Sequence, residues 1–160
     1  MILLTYEDSD YIHRVATEHV KLLQSDTLIR TQGTQIEIAL YEEMIAHRLR
    51  YAGDWLGIVT DREEHMKAYA WAHYEPANAQ VTIESLYVDP EYRQQGYATE
   101  LKQQIEKWAK SQGARQIIGT VQQSNQAMVE LNEALGYRVD KYIMSKSLEN
   151  HKHYANLFKP

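Results

Sequence analysis

Apolar and polar positions along this chain change period several times, and each change marks an element. Residues 2–7 predict a short strand. Asp8, Ser9 and Asp10 then offer side-chain oxygens to the free N–H groups of a helix start. Ile12, Val15, Ala16, His19 and Leu23 follow at helical spacing and predict a first helix of about four turns. The polar stretch Ser25 to Thr34, with Gly33, predicts a loop. Ile38, Tyr41, Ile45 and Leu49 predict a second helix that ends near Arg50, before Gly53.

The period then drops to two. Trp55 to Thr60 reads as a strand, and Asp61 to His65 as a charged turn. From Lys67 to Glu75, small Ala68, Ala70 and Ala72 alternate with bulky Tyr69, Trp71 and His73, which predicts a strand with two unlike faces. Pro76 to Asn78 is a turn, and Gln80 to Val88 another strand, closed by Asp89-Pro90. Ala98, Leu101, Ile105, Trp108 and Ala109 form the apolar stripe of a third helix, with Lys102, Gln103, Glu106, Lys107 and Lys110 assigned to its polar side. Gly113 is its stop. Gln116 to Gln122 predicts a short buried strand. Ser124 is read as the cap of a last helix carrying Ala127, Met128, Leu131 and Leu135, ended by Gly136. Tyr137 to Leu148 predicts one or two closing strands, and residues 149–160 a peripheral tail.

This order gives an α/β (α+β) chain of one domain over residues 1–160. Its mixed, mostly antiparallel sheet has six to seven strands, flanked by about four helices. Three consecutive strands joined by turns form a meander, and the strand–helix–strand unit from Gln80 to Gln122 forms a parallel pair.

Composition narrows the function classes. With 160 residues the chain buries a core without staples, and it has no Cys, so disulfides, thiolate metal cages and a cysteine nucleophile are excluded. A net charge of -5 argues against a nucleic-acid partner. No apolar run reaches the roughly 20 residues of a membrane helix, and the acidic residues after Met1-Ile2-Leu3-Leu4-Thr5 exclude a signal peptide; a cytoplasmic location is expected. His151-Lys152-His153 has no third ligand nearby and reads as a solvated tail, so no metal is expected.

The chemistry concentrates between Leu86 and Ala98. A strand ends at Val88-Asp89-Pro90, and Arg93-Gln94-Gln95-Gly96-Tyr97-Ala98 leads into the third helix. Such a loop can aim free backbone N–H groups at one spot beside the positive end of the helix dipole, which suits a phosphate group. Taken alone, it is equally an ordinary strand–helix connection. Asn125 opens the next helix, and Gly136-Tyr137 closes it.

With these two signatures at this separation, the chain resembles the GCN5-related N-acetyltransferase (GNAT) superfamily. The family's acyl-CoA signature, Arg/Gln-x-x-Gly-x-Gly/Ala after a strand ending in Val-x-Pro, stands here as Arg93-Gln94-Gln95-Gly96-Tyr97-Ala98 after Val88-Asp89-Pro90. The resemblance covers residues 2–148 in element order and is strongest from Ile83 to Tyr137. It implies an acetyl-CoA-dependent N-acetyltransferase acting on a primary amine of a small molecule or peptide, working as a possible homodimer. It also implies that backbone N–H groups from Gln94 to Thr99 hold the pyrophosphate, with Gly96 allowing close approach. Leu86 and Val88 would bond the pantetheine arm along the strand, and Asn125 would bond its amides. Glu84, two residues before Leu86, is expected on the same strand face and is the candidate general base. It is equally a solvated or salt-bridged strand residue. One departure stands out. Relatives often carry a proton-donating Tyr five residues before the aromatic of the Gly-aromatic pair, and here that position is Asn132. This opens an alternative, an acyl-CoA-binding sensor or interaction module with little turnover. A nucleotide phosphate site is disfavoured, because no Gly-Lys-Ser/Thr sequence is present.

Overall fold

A computed structural model describes residues 1–25, 34–144, 146 and 148. The expected loop after Ser25 and the expected tail from Glu149 lie outside the described residues. Met1–Gln122 form one compact unit, and a second begins at Gln123.

The first unit carries β1 (Ile2–Leu3), α1 (Ser9–Ser25), α2 (Thr34–Tyr51), β2 (Trp55–Thr60), β3 (Met66–Glu75), β4 (Gln80–Val88), α3 (Tyr97–Ser111) and β5 (Gln116–Gly119). The strands form one sheet in the order β1-β2-β3-β4-β5. The first three pairings are antiparallel and β4–β5 is parallel. The sheet is thus mixed as expected, but with five strands rather than six or seven. The first strand is only Ile2–Leu3, and the fifth ends at Gly119 rather than Gln122.

The alternation on β3 separates two apolar layers. Tyr69 and Trp71 point into a cluster with Leu56 and Ile58 of β2, Ile12, Val15 and Val20 of α1, and Ile38 and Ile45 of α2. Ala68, Ala70 and Ala72 face the other way, against Val81 of β4 and Leu101, Ile105 and Ala109 of α3. Small residues on one face let α3 approach closely, while large ones on the other fill the wider gap beneath the α1–α2 layer. At the end of α1 Leu23 is exposed, contrary to expectation, and Val20 is buried in the stripe instead. Lys102, assigned above to the polar side of α3, is buried. It sits four residues after Ala98 and three before Ile105, so the helical period puts its stem on the apolar stripe. Burial lowers its pKa to about 8.

The second unit carries α4 (Gln126–Ala134). Its cap is Asn125, not Ser124: the Asn125 side chain accepts from the Met128 N–H at 3.3 Å. Gly136 follows with φ +87, as a helix stop requires. Among the described residues after Tyr137 no strand forms, and Val139, Tyr142, Ile143 and Met144 are exposed.

Candidate active site

The β4–α3 connection is built by successive local bonds. Asp89 N–H donates to the Lys67 carbonyl at 2.8 Å, tying the strand end to β3. The Asp89 side chain accepts from Glu91 N–H at 2.9 Å and caps a single 3₁₀ turn, Pro90–Tyr92. Arg93 Nε donates back to the Val88 carbonyl at 3.2 Å. The chain then enters the left-handed region at Gln94 (φ +61) and again at Gly96 (φ +86), the residue that precedes α3. Gly96 makes no side-chain cap, and its carbonyl accepts from Glu100 N–H at 2.9 Å. The backbone N–H groups of Gln94 through Thr99 find no acceptor among the described residues. A Cβ added at Gly96 would meet nothing within 4 Å. A run of unpaired N–H groups at the start of a 15-residue helix, with open space before the glycine, suits an anion such as a pyrophosphate. Lys67 Nζ lies 3.4 Å from the Tyr97 hydroxyl and adds a cation beside this loop.

Strand β4 itself is divided. From Gln80 to Ile83 it pairs with β5, and β5 stops there at Gly119. From Ser85 to Val88 its pairing is with β3 alone. The edge beyond Ile83 therefore has no strand partner among the described residues, and an extended amide-bearing chain could add to it.

The division coincides with a β-bulge. Trp71 pairs with Ser85, and the next residue, Ala72, pairs with Ile83. Glu84 is the extra residue. The bulge shifts the alternation, so Ile83, Leu86 and Val88 all pack in the α3 layer. Ser85 bonds the Tyr69 hydroxyl at 2.9 Å, and Glu84 bonds Arg48 of α2 at 2.8 Å, both on the α1–α2 side. The expectation that Glu84 shares a face with Leu86 and Val88 is thus overturned. Strict period two fails where one residue is inserted. The signal was in the sequence: apolar Val81 and Ile83 are odd, while Leu86 and Val88 are even.

Glu84 belongs to a polar cluster. Arg48 Nε donates to Asp54 Oδ2 at 2.8 Å, and Trp71 Nε1 donates to the same oxygen at 2.6 Å. Asp54 Oδ1 lies 2.6 Å from His73 Nδ1. Arg48, Asp54 and His73 were not singled out from sequence. Arg48 and Asp54 flank the short α2–β2 connection and His73 comes 19 residues after Asp54, and nothing in that spacing signals that they meet.

The acetyltransferase (GNAT) family model matches residues 22–137, which hold both the loop and the bulge. The chain belongs to the GNAT family. A GNAT-family acetyltransferase from Staphylococcus aureus is 36% identical, covering 74% of this chain and 98% of that one, with TM-score 0.67. An acetyltransferase from Pyrococcus furiosus, 20% identical, shares the fold at TM-score 0.71 over 92% of this chain and 99% of that one. Among curated proteins, an aminoglycoside N(6')-acetyltransferase type 1 from Acinetobacter baumannii is 34% identical over 98 residues, which are 58% of this chain and 64% of that protein. The same-named protein from Acinetobacter genomosp. 13 is 38% identical over 55 residues, 34% of this chain and 38% of that one. The matches thus span less than two thirds of either curated relative.

In this GNAT chain, Leu86, Val88 and residues 93–99 surround the end of β4 and the start of α3. Asn125 lies in the second unit, where its side-chain oxygen is engaged in capping α4. Asn132 Oδ1 is buried without a hydrogen-bond partner among the described residues. Among the described residues no group of three or more His, Asp or Glu could hold a metal ion, and no helix is long and apolar enough to cross a membrane.

Proposed function

We propose that the protein transfers an acetyl group from acetyl-CoA to a primary amine. The observation that carries this reading is the run of unpaired N–H groups from Gln94 to Thr99 beside the open β4 edge, in a chain of the GNAT family. Acetyl-CoA supplies an activated acyl thioester. The Gln94–Thr99 backbone would hold its pyrophosphate, and the β4 edge at Leu86 and Val88 its pantetheine. The ammonium first loses one proton to water, the freed amine nitrogen attacks the thioester carbon, a C–N bond forms and the C–S bond breaks. The nitrogen's proton passes to Glu84, directly or through water, and the thiolate takes a proton from water, since the amide at position 132 is too weak an acid to supply one. The acceptor class best supported is a cationic amine. The chain carries net charge -5, and the partly matching relatives are named for aminoglycosides.

The test is thermal denaturation with acetyl-CoA, CoA and ATP, followed by thiol release on a panel containing kanamycin A, spermidine and lysine. Acetyl-CoA at about 100 times its Kd should add roughly 2.7 kcal/mol, with ATP inert. Thiol release above the blank with at least one amine is expected. No stabilisation by any CoA species would defeat the proposal. Stabilisation without turnover would favour the second reading, an acyl-CoA-binding module, which the Asn at position 132 motivates.

A further inference from the structure

The bulge gives Glu84 no ladder partner, and a carboxylate on a bulged residue has several rotamers open to it. Its Oε1 is nevertheless fixed, because Arg48 Nη2 donates to it at 2.8 Å. No bond to Oε2 forms among the described residues, so that oxygen is left for an incoming amine or water.

Arg48 is itself held from three directions. Its Nε donates to Asp54, whose side chain is fully buried. Its guanidinium carbon sits 4.7 Å from the centre of the Trp71 ring. Its far edge meets Glu84. Asp54 in turn accepts from Trp71 Nε1 and pairs with His73 Nδ1. An ionised carboxylate only accepts, so His73 carries a proton on Nδ1 in this contact. Asp54, just before β2, and Trp71 of β3 therefore hold one planar fork, His73 steadies Asp54, and the other tine of the fork reaches the bulge. Burying Asp54 and its partners carries a large desolvation cost, so adding a second carboxylate to the same guanidinium needs a reason beyond stability. A fork that spans two carboxylates sets direction as well as charge, which an ammonium cannot do.

We infer that Arg48 is a positioning residue of this enzyme: anchored by Asp54 and Trp71, it fixes the Glu84 carboxylate at the angle at which it receives the amine's proton. The inference rests on the acetyl-transfer reading and on the role given there to Glu84.

The experiment compares Arg48→Met, Arg48→Lys, Glu84→Gln and the Arg48→Met/Glu84→Gln double variant. Each is checked for folding by thermal denaturation and for acetyl-CoA affinity by calorimetry, and kcat and KM are measured with the amine of the panel that turns over fastest. Arg48→Met should lower kcat about 10- to 100-fold, with acetyl-CoA affinity unchanged within about twofold. Arg48→Lys, which keeps the charge and the fold if Met does not, should remain about tenfold down in kcat, because one ammonium cannot hold both carboxylates. In the Glu84→Gln background, Arg48→Met should cost less than about twofold more, since there is no base left to aim. A kcat near wild type in both Arg48 variants overturns the inference. So does the full Arg48 loss persisting in Glu84→Gln, which is what a purely structural ion cluster gives, and so does wild-type kcat in Glu84→Gln. In all three cases acetyl transfer by the wild type still stands. A wild-type protein without turnover overturns the functional reading and this one together, and is seen before any variant is made.

Discussion

Gly96 and Gly113 make a matched pair of residues. Both are left-handed, at φ +86 and +78, and a Cβ at either would meet nothing within 4 Å. Ala at each position therefore has the same backbone cost, about 1–2 kcal/mol, and no protein clash. They differ only in what lies before them: Gly96 fronts the unpaired N–H groups at the start of α3, and Gly113 ends the same helix. Urea denaturation should find Gly96→Ala and Gly113→Ala equally destabilised. Calorimetry should find acetyl-CoA affinity at least about tenfold weaker in Gly96→Ala alone, because the methyl group holds the pyrophosphate off the N–H groups. Equal affinities in the two variants would remove Gly96 from the binding site.

Among the elements, β4 holds the most information. Its span from Gln80 to Val88 was legible because Asp89-Pro90 closes it and a turn opens it. Its bulge was marked by the change of its apolar residues from odd to even positions but was missed, because the expected face of Glu84 came from a strict count of two. The pairing shows what the bulge does. Trp71 opposes Ser85 and Ala72 opposes Ile83, so removing Glu84 joins Ile83 to Ser85 and leaves a continuous ladder with every other side chain on its present face. Deletion of Glu84 should thus give a folded protein whose midpoint of thermal denaturation is not lower than the wild type's by more than a few degrees. Its kcat/KM should fall at least about 100-fold, since the carboxylate is gone and the strand edge is straightened. A deletion variant that unfolds would show that the bulge is needed for the sheet; one that retains activity would show that it is not needed for the chemistry.

Across the whole molecule, the parts that were legible are those whose sequence pattern and packing agree. The Ala and aromatic alternation on β3 is one, because unlike volumes on two faces leave the strand a single orientation. The segment after Tyr137 is the opposite case. Its apolar residues have strand propensity, but propensity without a pairing edge makes no strand, and Val139, Tyr142, Ile143 and Met144 are exposed. Polar residues inside a layer were the least legible, since burial there depends on partners distant in sequence. Lys102 is such a case, whereas His19 was read into the apolar stripe of α1 and is buried there. It is 7% exposed, its ring lies 4.6 Å from that of Tyr41 and 5.8 Å from that of Trp71, and its Nδ1 has no hydrogen-bond partner among the described residues. Burial lowers its pKa from 6.5, and the Glu84 charge opposes this only in part. Between 6.5 and the lower folded value the unfolded chain binds the proton and the folded one does not. Stability from this group is therefore complete above pH 6.5 and is lost as pH falls below it, by up to about 1.4 kcal/mol per pH unit. His19→Phe cannot take up that proton in either state. Urea denaturation from pH 8 to 5 should give a difference between wild type and His19→Phe that is flat above about pH 6.5 and shifts in favour of the variant below it. Parallel curves over the whole range would mean that His19 is as free to charge in the folded protein as in the unfolded chain.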